Sequence, residues 1–324
     1  MKVAAVVPHW NRRGLLLALL ENLRRQTRAF DQIIVVDNGS TDDSAALAES
    51  AGARVVRLER NLGFAAAVNR GIEAADADWI GILNNDVTLA PDWLALLLEA
   101  TTKEDAWFAT GKTLMASDRL CIDATFDAIA RSGCAYRCGS GKPDGPVWNE
   151  ARRIRMAPMT AAIFQRRLFQ DIGLLDEGFE SYLEDVDFGI RCAMQDRWGL
   201  YVPAATAYHQ GSSTWGQWNK YSVRLIARNQ VLLTAKYFRE LPRWPIVAGQ
   251  LLWGIVALRH GCAGAYLEGK MAGMRLARTL PLQRLASETK IEAFIAESER
   301  TILEIQRQTG FDRYWRAYFW LLGL

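Results

Sequence analysis

Within its first hundred residues the sequence switches repeatedly between two hydrophobic periods. Val3–Val7 is a continuous apolar run closed by Pro8, after which Leu15, Leu16, Leu19, Leu20 and Leu23 recur at helical spacing. Ile33–Val36 is a second β-branched run. A helix over Ser40–Glu49 follows it, with Ser40 or Thr41 as its N-cap. Arg54–Leu58 and Trp79–Leu83 read as a third and a fourth strand, followed by helical patterns over Phe64–Ala75 and Asp92–Ala100. Short apolar strands separated by crossover helices pair in parallel and need cover on both faces, so the pattern predicts an α/β sandwich.

Composition narrows the class further. The chain has 324 residues, enough for about two domains. Half of them are hydrophobic, which excludes a disordered chain, and a net charge of +3 is too small to indicate a nucleic-acid partner. None of the five cysteines forms a Cys-x-x-Cys pair. Cys134 and Cys138 come closest, with no matching His or Cys pair after them, so reduced buried thiols are expected rather than zinc. Met1-Lys2 leads into an apolar stretch too short for a signal-peptide core, which predicts a cytoplasmic protein.

Beyond residue 110 the pattern loosens. The middle is rich in Gly, with a strand-like Ala157–Phe164 and an acidic cluster, Leu183-Glu184-Asp185-Val186-Asp187. From Tyr221 the chain reads as helical. Three parts are therefore expected: 1–110 for a nucleotide, 111–235 for an acceptor and catalysis, and 236–324 as a helical extension. In that extension Ile246–Leu258 is apolar but shorter than the ~20 residues a spanning helix needs. Arg259, Lys270, Arg275, Arg278 and Arg284 face one acid, Glu268, and six of the twelve Trp fall between Trp215 and Trp320. An apolar segment beside a basic run suits the surface of an anionic leaflet. It equally suits helices packed on the rest of the chain or on a second copy. Glu288–Gln308, with Ile291, Phe294, Ile295, Ile302 and Ile305, reads as an amphipathic helix.

Open α/β sheets bind ligands beyond the carboxyl ends of their strands. Here those positions are Pro8–Asn11, Asp37–Ser40, Asn61–Phe64 and Asn84–Asp86, all polar or Gly-bearing. Asp37-Asn38-Gly39-Ser40 offers acceptors for a ribose or base, and it is also the composition of an ordinary turn. Neither Gly-x-x-x-x-Gly-Lys-[Ser/Thr] nor Gly-x-Gly-x-x-Gly follows the first strand. A nucleotide would then need a divalent cation to neutralise its phosphates. Asp86, at the end of the fourth strand, is placed to hold Mg2+ or Mn2+.

Taken together, Val-Val-Pro-His-Trp-Asn (6–11), Val-Val-Asp-Asn-Gly-Ser-Thr-Asp (35–42), Asn-Leu-Gly-Phe-Ala-Ala-Ala-Val-Asn (61–69) and Leu-Asn-Asn-Asp (83–86) resemble glycosyltransferase family 2, above all its rhamnosyltransferase-like bacterial members. The likeness continues through 173–179, Tyr-Leu-Glu-Asp-Val-Asp-Phe (182–188), His-Gln-Gly-Ser-Ser (209–213) and Arg228-Asn229. It implies a GT-A fold, a mixed and mainly parallel sheet flanked by helices, here with a C-terminal helical extension. The implied activity is inverting transfer of a sugar, rhamnose from dTDP-rhamnose above others, from a nucleoside diphosphate to a hydroxyl of a lipid-linked or cell-surface glycan. Pro8, Asp37, Asn38, Asn61, Gly63, Asn85 and Asp86 would bind the donor. Asp86 would hold the metal, His209 would be a second metal ligand, and Asp185 would be the general base.

Chemistry accounts for these residue types. A carboxylate that removes the acceptor's proton as it attacks contributes roughly 10²–10⁴ in rate, and a divalent cation stabilises the departing diphosphate. Glu184 and Asp187, three apart, would share a helix face and orient the acceptor, or pair with Arg191, while Asp185 points elsewhere. Alone, the acidic cluster would also suit the first turn of a helix, and His209 a structural histidine. The metal motif departs from the family pattern of two carboxylates, since Asn84-Asn85 precede Asp86, which predicts weaker metal binding. A nucleotidyltransferase and a non-catalytic sugar-nucleotide or glycan-binding protein are the competing readings.

Overall fold

The apolar N-terminal run becomes β1 (Val3–His9), enclosed along nearly its whole length, and the parallel half of the sheet grows from it. The computed structural model describes residues 1–211, 218–279 and 288–324. Each early strand leads into a helix: α1 (Arg13–Arg24), β2 (Gln32–Asp37), α2 (Ser44–Ser50), β3 (Arg54–Arg57), α3 (Phe64–Ala74) and β4 (Trp79–Leu83). The strands lie in the order β3-β2-β1-β4, all parallel, as the alternating periods predict.

The sheet continues through β5 (Val87–Leu89), and after α4 (Trp93–Glu104) through β6 (Phe108–Met115) and β7 (Ile122–Ala124). β8 (Asp127–Ile129) and β9 (Ala135–Arg137) form a separate ribbon. β10 (Arg152–Ile154) and β11 (Ala161–Gln165), then α5 (Arg166–Ile172), α6 (Glu184–Met194) and β12 (Gly199–His209), complete the large sheet. Its path is β10-β12-β6-β11-β4-β1-β2-β3, with β5 on β12 and β7 on β6. β11 runs antiparallel to both neighbours, and β12 is parallel to β6, so the sheet is mixed. Four of the seven pairings on the path are parallel. Leu16, Leu19, Leu20 and Leu23 of α1 and Trp93, Leu94 and Leu97 of α4 are fully enclosed in one core with Val3, Val7 and Leu83. β12 slips against β6 between Val202 and Thr206. There the Ala205 carbonyl comes so close that a Cβ on residue 111 would lie 1.7 Å from it, and only Gly111 fits.

One expectation needs correction. α2 starts at Ser44, not at Ser40 or Thr41, because those residues are engaged by the preceding loop. Ser40 Oγ accepts from Asn11 N at 2.8 Å and Thr41 N donates to Asn11 Oδ1 at 2.9 Å. The expected domain limits after 110 and 235 fall inside β6 and inside α7 (Lys220–Tyr237). The chain forms two compact units, one of Met1–Phe126 with Gly139–Gly211 and another of Asp127–Cys138 with Ser212–Leu324. The nucleotide and acceptor halves share one sheet, so no break separates them.

The second unit holds the β8–β9 ribbon, α7, α8 (Arg243–Arg259), α9 (Ala263–Ala277), α10 (Glu288–Thr309) and α11 (Arg313–Leu321). Ile291, Phe294, Ile295, Ile302 and Ile305 of α10 are all buried, as their spacing predicts. Ser298 Oγ accepts from Ile129 N at 2.7 Å, and Glu299 pairs with Arg131. Arg228 and Asn229 lie buried in α7, the Arg228 Nε donating to Asn229 Oδ1 at 2.9 Å. Trp215, Ser212, Ser213 and Arg284 lie outside the described residues.

Candidate active site

The carboxyl ends of β2, β1 and β4 lie side by side, and the donor candidates cluster along them. Pro8 and His9 pair with Val36 and Asp37 across β1 and β2. Asn38 ties this edge to the loop before α3. Its Nδ2 donates to Asn61 Oδ1 at 3.1 Å and to the Gly63 carbonyl at 3.0 Å, and its Oδ1 accepts from Leu62 N at 2.8 Å. Asn38 and Asn61 thus shape the edge through each other. Asp37 accepts from Ser40 N at 3.1 Å and borders a cleft of about 470 Å³ with Ser40, Thr41 and Arg57, large enough for a nucleoside.

Asn85 is oriented by a residue whose role the sequence reading left undefined. Its Nδ2 lies 2.8 Å from His9 Nδ1, the acceptor, while His9 Nε2 is buried with no partner among the described residues. Burial outweighs the attraction of Asp42 and Asp37 and pushes the His9 imidazole down to about 4, so it is neutral at physiological pH. A neutral ring that accepts at Nδ1 fixes the Asn85 amide one residue before Asp86.

β5 and β12 bring Asp86 and His209 together. His209 is in register with Val87, and Gln210 N donates to the Asp86 carbonyl at 3.0 Å. His209 Nε2 lies 3.1 Å from Asp86 Oδ1, and its Nδ1 lies 2.9 Å from Asp123 Oδ2 on β7. Burial alone would push this imidazole down; hydrogen bonds to Asp123 and Asp86 and their charges prevail and raise it to about 9. Asp123 was not among the sequence candidates. Its signal is slight: one acid between Ile122 and Ala124, in a three-residue strand.

Among the described residues no group of three or more His, Cys, Asp or Glu is arranged to hold a metal ion. The donor set nevertheless fits one held by two side chains. Asp86 offers oxygen, His209 would offer Nε2 once a cation displaces its proton, and Asp123 occupies the far ring nitrogen in the way carboxylates orient metal-bound histidines. Mg2+ and Mn2+ are commonly held by few protein groups, with substrate phosphates supplying others.

Asp185 stands in the first turn of α6, after an unusual backbone segment. Glu180, Tyr182 and Leu183 adopt φ of 59°, 68° and 67°, left-handed values that non-glycine residues seldom hold. The segment is clamped to the start of α3. Ala65 N donates to the Glu180 carbonyl at 2.9 Å, and Phe64 N to Ser181 Oγ at 3.1 Å. Gly63, at φ 90°, permits this approach, since a Cβ there would lie 2.7 Å from the Glu180 oxygen. α6 therefore begins beside the Asn38–Gly63 loop. Asp185 Oδ1 accepts from Val186 N at 2.8 Å.

Asp187 takes the second of the two roles its spacing allowed, pairing with Arg191. Its side chain is completely enclosed and accepts from Arg191 Nε at 3.0 Å, while Arg191 also donates to the carbonyls of Ile172 and Leu174. The pair anchors α6. Glu184 is buried as well.

Comparison with known proteins gives this arrangement its context. The family model described as Glycosyl transferase family 2 matches residues 4–119, the stretch that supplies Asp37, Asn38, Asn61, Gly63 and Asp86. This stretch of the chain belongs to glycosyl transferase family 2. The chain is 28% identical over 222 residues to the N-acetylglucosaminyl-diphospho-decaprenol L-rhamnosyltransferase of Mycobacterium tuberculosis, covering 61% of this chain and 72% of that protein. Two solved structures share its GT-A fold. GalNAc-T7 with UDP, GalNAc and Mn2+ superposes with a TM-score of 0.64 at 15% identity, over 96% of this chain and 58% of that one. The Pyrobaculum calidifontis mannosyltransferase PcManGT, in complex with GDP-Man and Mn2+, does so at 0.54 and 17% identity, over 98% and 85%.

Proposed function

We propose that this family 2 glycosyltransferase transfers a sugar, with inversion, from a nucleoside diphosphate donor to an acceptor hydroxyl, with Asp185 as the base. The observation that carries the reading is the Asp86–His209 pair, set on the same sheet edge as the Asp37 cleft. Asp37, Ser40 and Pro8 take the nucleoside, with Asn38, Asn61 and Gly63 shaping the wall beside it. Asp86 and His209 would hold a divalent cation, which would supply charge stabilisation to the departing diphosphate. Asn85, fixed by His9, keeps Asp86 in register. Asp185 accepts the hydroxyl proton as the acceptor oxygen bonds to the anomeric carbon. The bond from that carbon to the diphosphate oxygen breaks on the opposite face, and the diphosphate leaves with the electron pair. Glu184 remains the acceptor-side candidate.

The likeness to a rhamnosyltransferase whose name specifies a diphospho-decaprenol carrier supports dTDP-rhamnose as donor and a lipid-linked glycan as acceptor. Such an acceptor places the reaction at the cytoplasmic face of a membrane. Thermal unfolding with Mn2+ and a panel of nucleoside diphosphates tests the reading, because a ligand that binds only the folded chain raises its stability by RT ln(1 + [L]/Kd). One preferred base should raise the melting temperature in a Mn2+-dependent manner. No shift with any nucleotide would contradict it.

A further inference from the structure

Apart from Gln250 and the arginines at its ends α8 is apolar, yet only one side of it is buried. Pro245, Ala248, Gly249 and Ala257 are enclosed. Trp244, Val247, Leu251, Ile255 and Leu258 recur every three or four residues on the outer side and remain between 48 and 62 % exposed. A helix apolar on all sides is ordinarily covered on all sides, and contiguous apolar patches of this extent are uncommon on free protein surfaces.

α9 extends the same surface. Gly254 of α8 closes on Tyr266, whose hydroxyl donates to the Gln250 carbonyl at 2.8 Å, and Lys270 Nζ donates to Gln250 Oε1 at 2.8 Å. Residue 254 against 266 and 250 against 270 make the two helices an antiparallel pair. Leu267, Met271 and Met274 of α9 are 46–58 % exposed. At about 100° per residue, the exposed apolar stripe of each helix lies about a quarter-turn from its contact with the other. For antiparallel helices that offset turns both stripes to the same side. α9 meets α7 through Gly269 and Gly273, on roughly the opposite side.

We propose that the paired outer faces of α8 and α9 rest on the surface of an anionic lipid bilayer, lying in its interface. Charge decides the occupant. From Arg243 to Arg278 the exposed cations are Arg243, Arg259, Arg275 and Arg278, against the single acid Glu268. By the same helical geometry Arg259 and Arg275 flank the stripes and Arg278 extends that of α9, where long basic side chains reach lipid phosphates while their stems cover apolar surface. Trp244 at one end suits the headgroup level. α8 and α9, 17 and 15 residues long, lie along the surface rather than across it, and no helix among the described residues is long and apolar enough to span. A second copy of the chain would bring the same arginines together. The inference stands on this unit alone, whatever the donor.

The test is flotation of the intact chain with phosphatidylcholine vesicles with and without phosphatidylglycerol. The chain should float with the anionic vesicles and be released by high salt. The double variant Leu251→Glu/Ile255→Glu, at exposed positions and with an unchanged melting temperature, should reduce binding at least ~10-fold. Absence of flotation with anionic vesicles would overturn the proposal, as would binding unaffected by the double variant. A wild-type dimer that the variant converts to monomer, without vesicle binding, would assign the face to a second copy instead.

Discussion

Asp123 holds the Nδ1 side of His209 at 2.9 Å and thereby leaves Nε2 facing Asp86 at 3.1 Å. An asparagine at 123 can donate to Nδ1, which moves the ring proton to Nε2 and blocks it as a ligand. Asp123→Asn should therefore lower Mn2+ affinity by roughly 10–100-fold while the fold persists. Calorimetric titration of Mn2+ with a nucleoside diphosphate present measures this directly. Unchanged affinity would reduce Asp123 to a packing residue.

The buried His9 makes stability depend on pH in acid. The unfolded chain takes up this proton near pH 6.5 and the folded chain only near 4. The His9 contribution should fall as pH drops through that interval and stay level above it, by up to about 3 kcal/mol. His9→Gln should remove this component, so denaturant unfolding at several pH values should give diverging wild-type and variant curves below pH 6.5. Parallel curves would mean the imidazole is reached by water.

Gly63→Ala places a methyl group against the Glu180 carbonyl at a φ of 90°, conditions that cost about 1–3 kcal/mol. The strain should be relieved by displacing the 180–183 segment. Turnover should then fall more than nucleotide affinity, because Asp185 follows that segment. Steady-state kinetics beside nucleotide titration would show the split; equal losses in both would contradict it.

Asp187→Asn removes one partner of a buried ion pair and leaves the Arg191 guanidinium uncompensated. A loss of about 3–5 kcal/mol is expected, seen as a lower melting temperature without a selective rise in acceptor KM. A raised KM at unchanged stability would restore Asp187 to the acceptor site.

The parallel half of the fold was legible because apolar runs such as Val3–Val7, Ile33–Val36 and Trp79–Leu83 alternate with helical repeats, and period distinguishes the two. β5, β6, β7 and β12 were not. They are short, or like Phe108–Met115 carry polar residues made acceptable by long-range pairing, and pairing leaves no local trace. The same limit applied to the site. Asp86 and Asp37 follow strands and could be placed; Asp123 meets His209 only because β6 has β7 on one side and β12 on another. Asp185 and Asp187 look alike in sequence. Only packing distinguishes the enclosed partner of Arg191 from the residue at the start of α6.

The most direct measurement is single-turnover sugar transfer by Asp185→Asn, with Mn2+ and donor binding followed on the same sample. The isosteric amide cannot accept the acceptor's proton. Transfer should fall by at least ~10²-fold while donor and metal bind as in the wild type. Transfer at the wild-type rate with binding intact would contradict the assignment of the base, and with it the proposed chemistry.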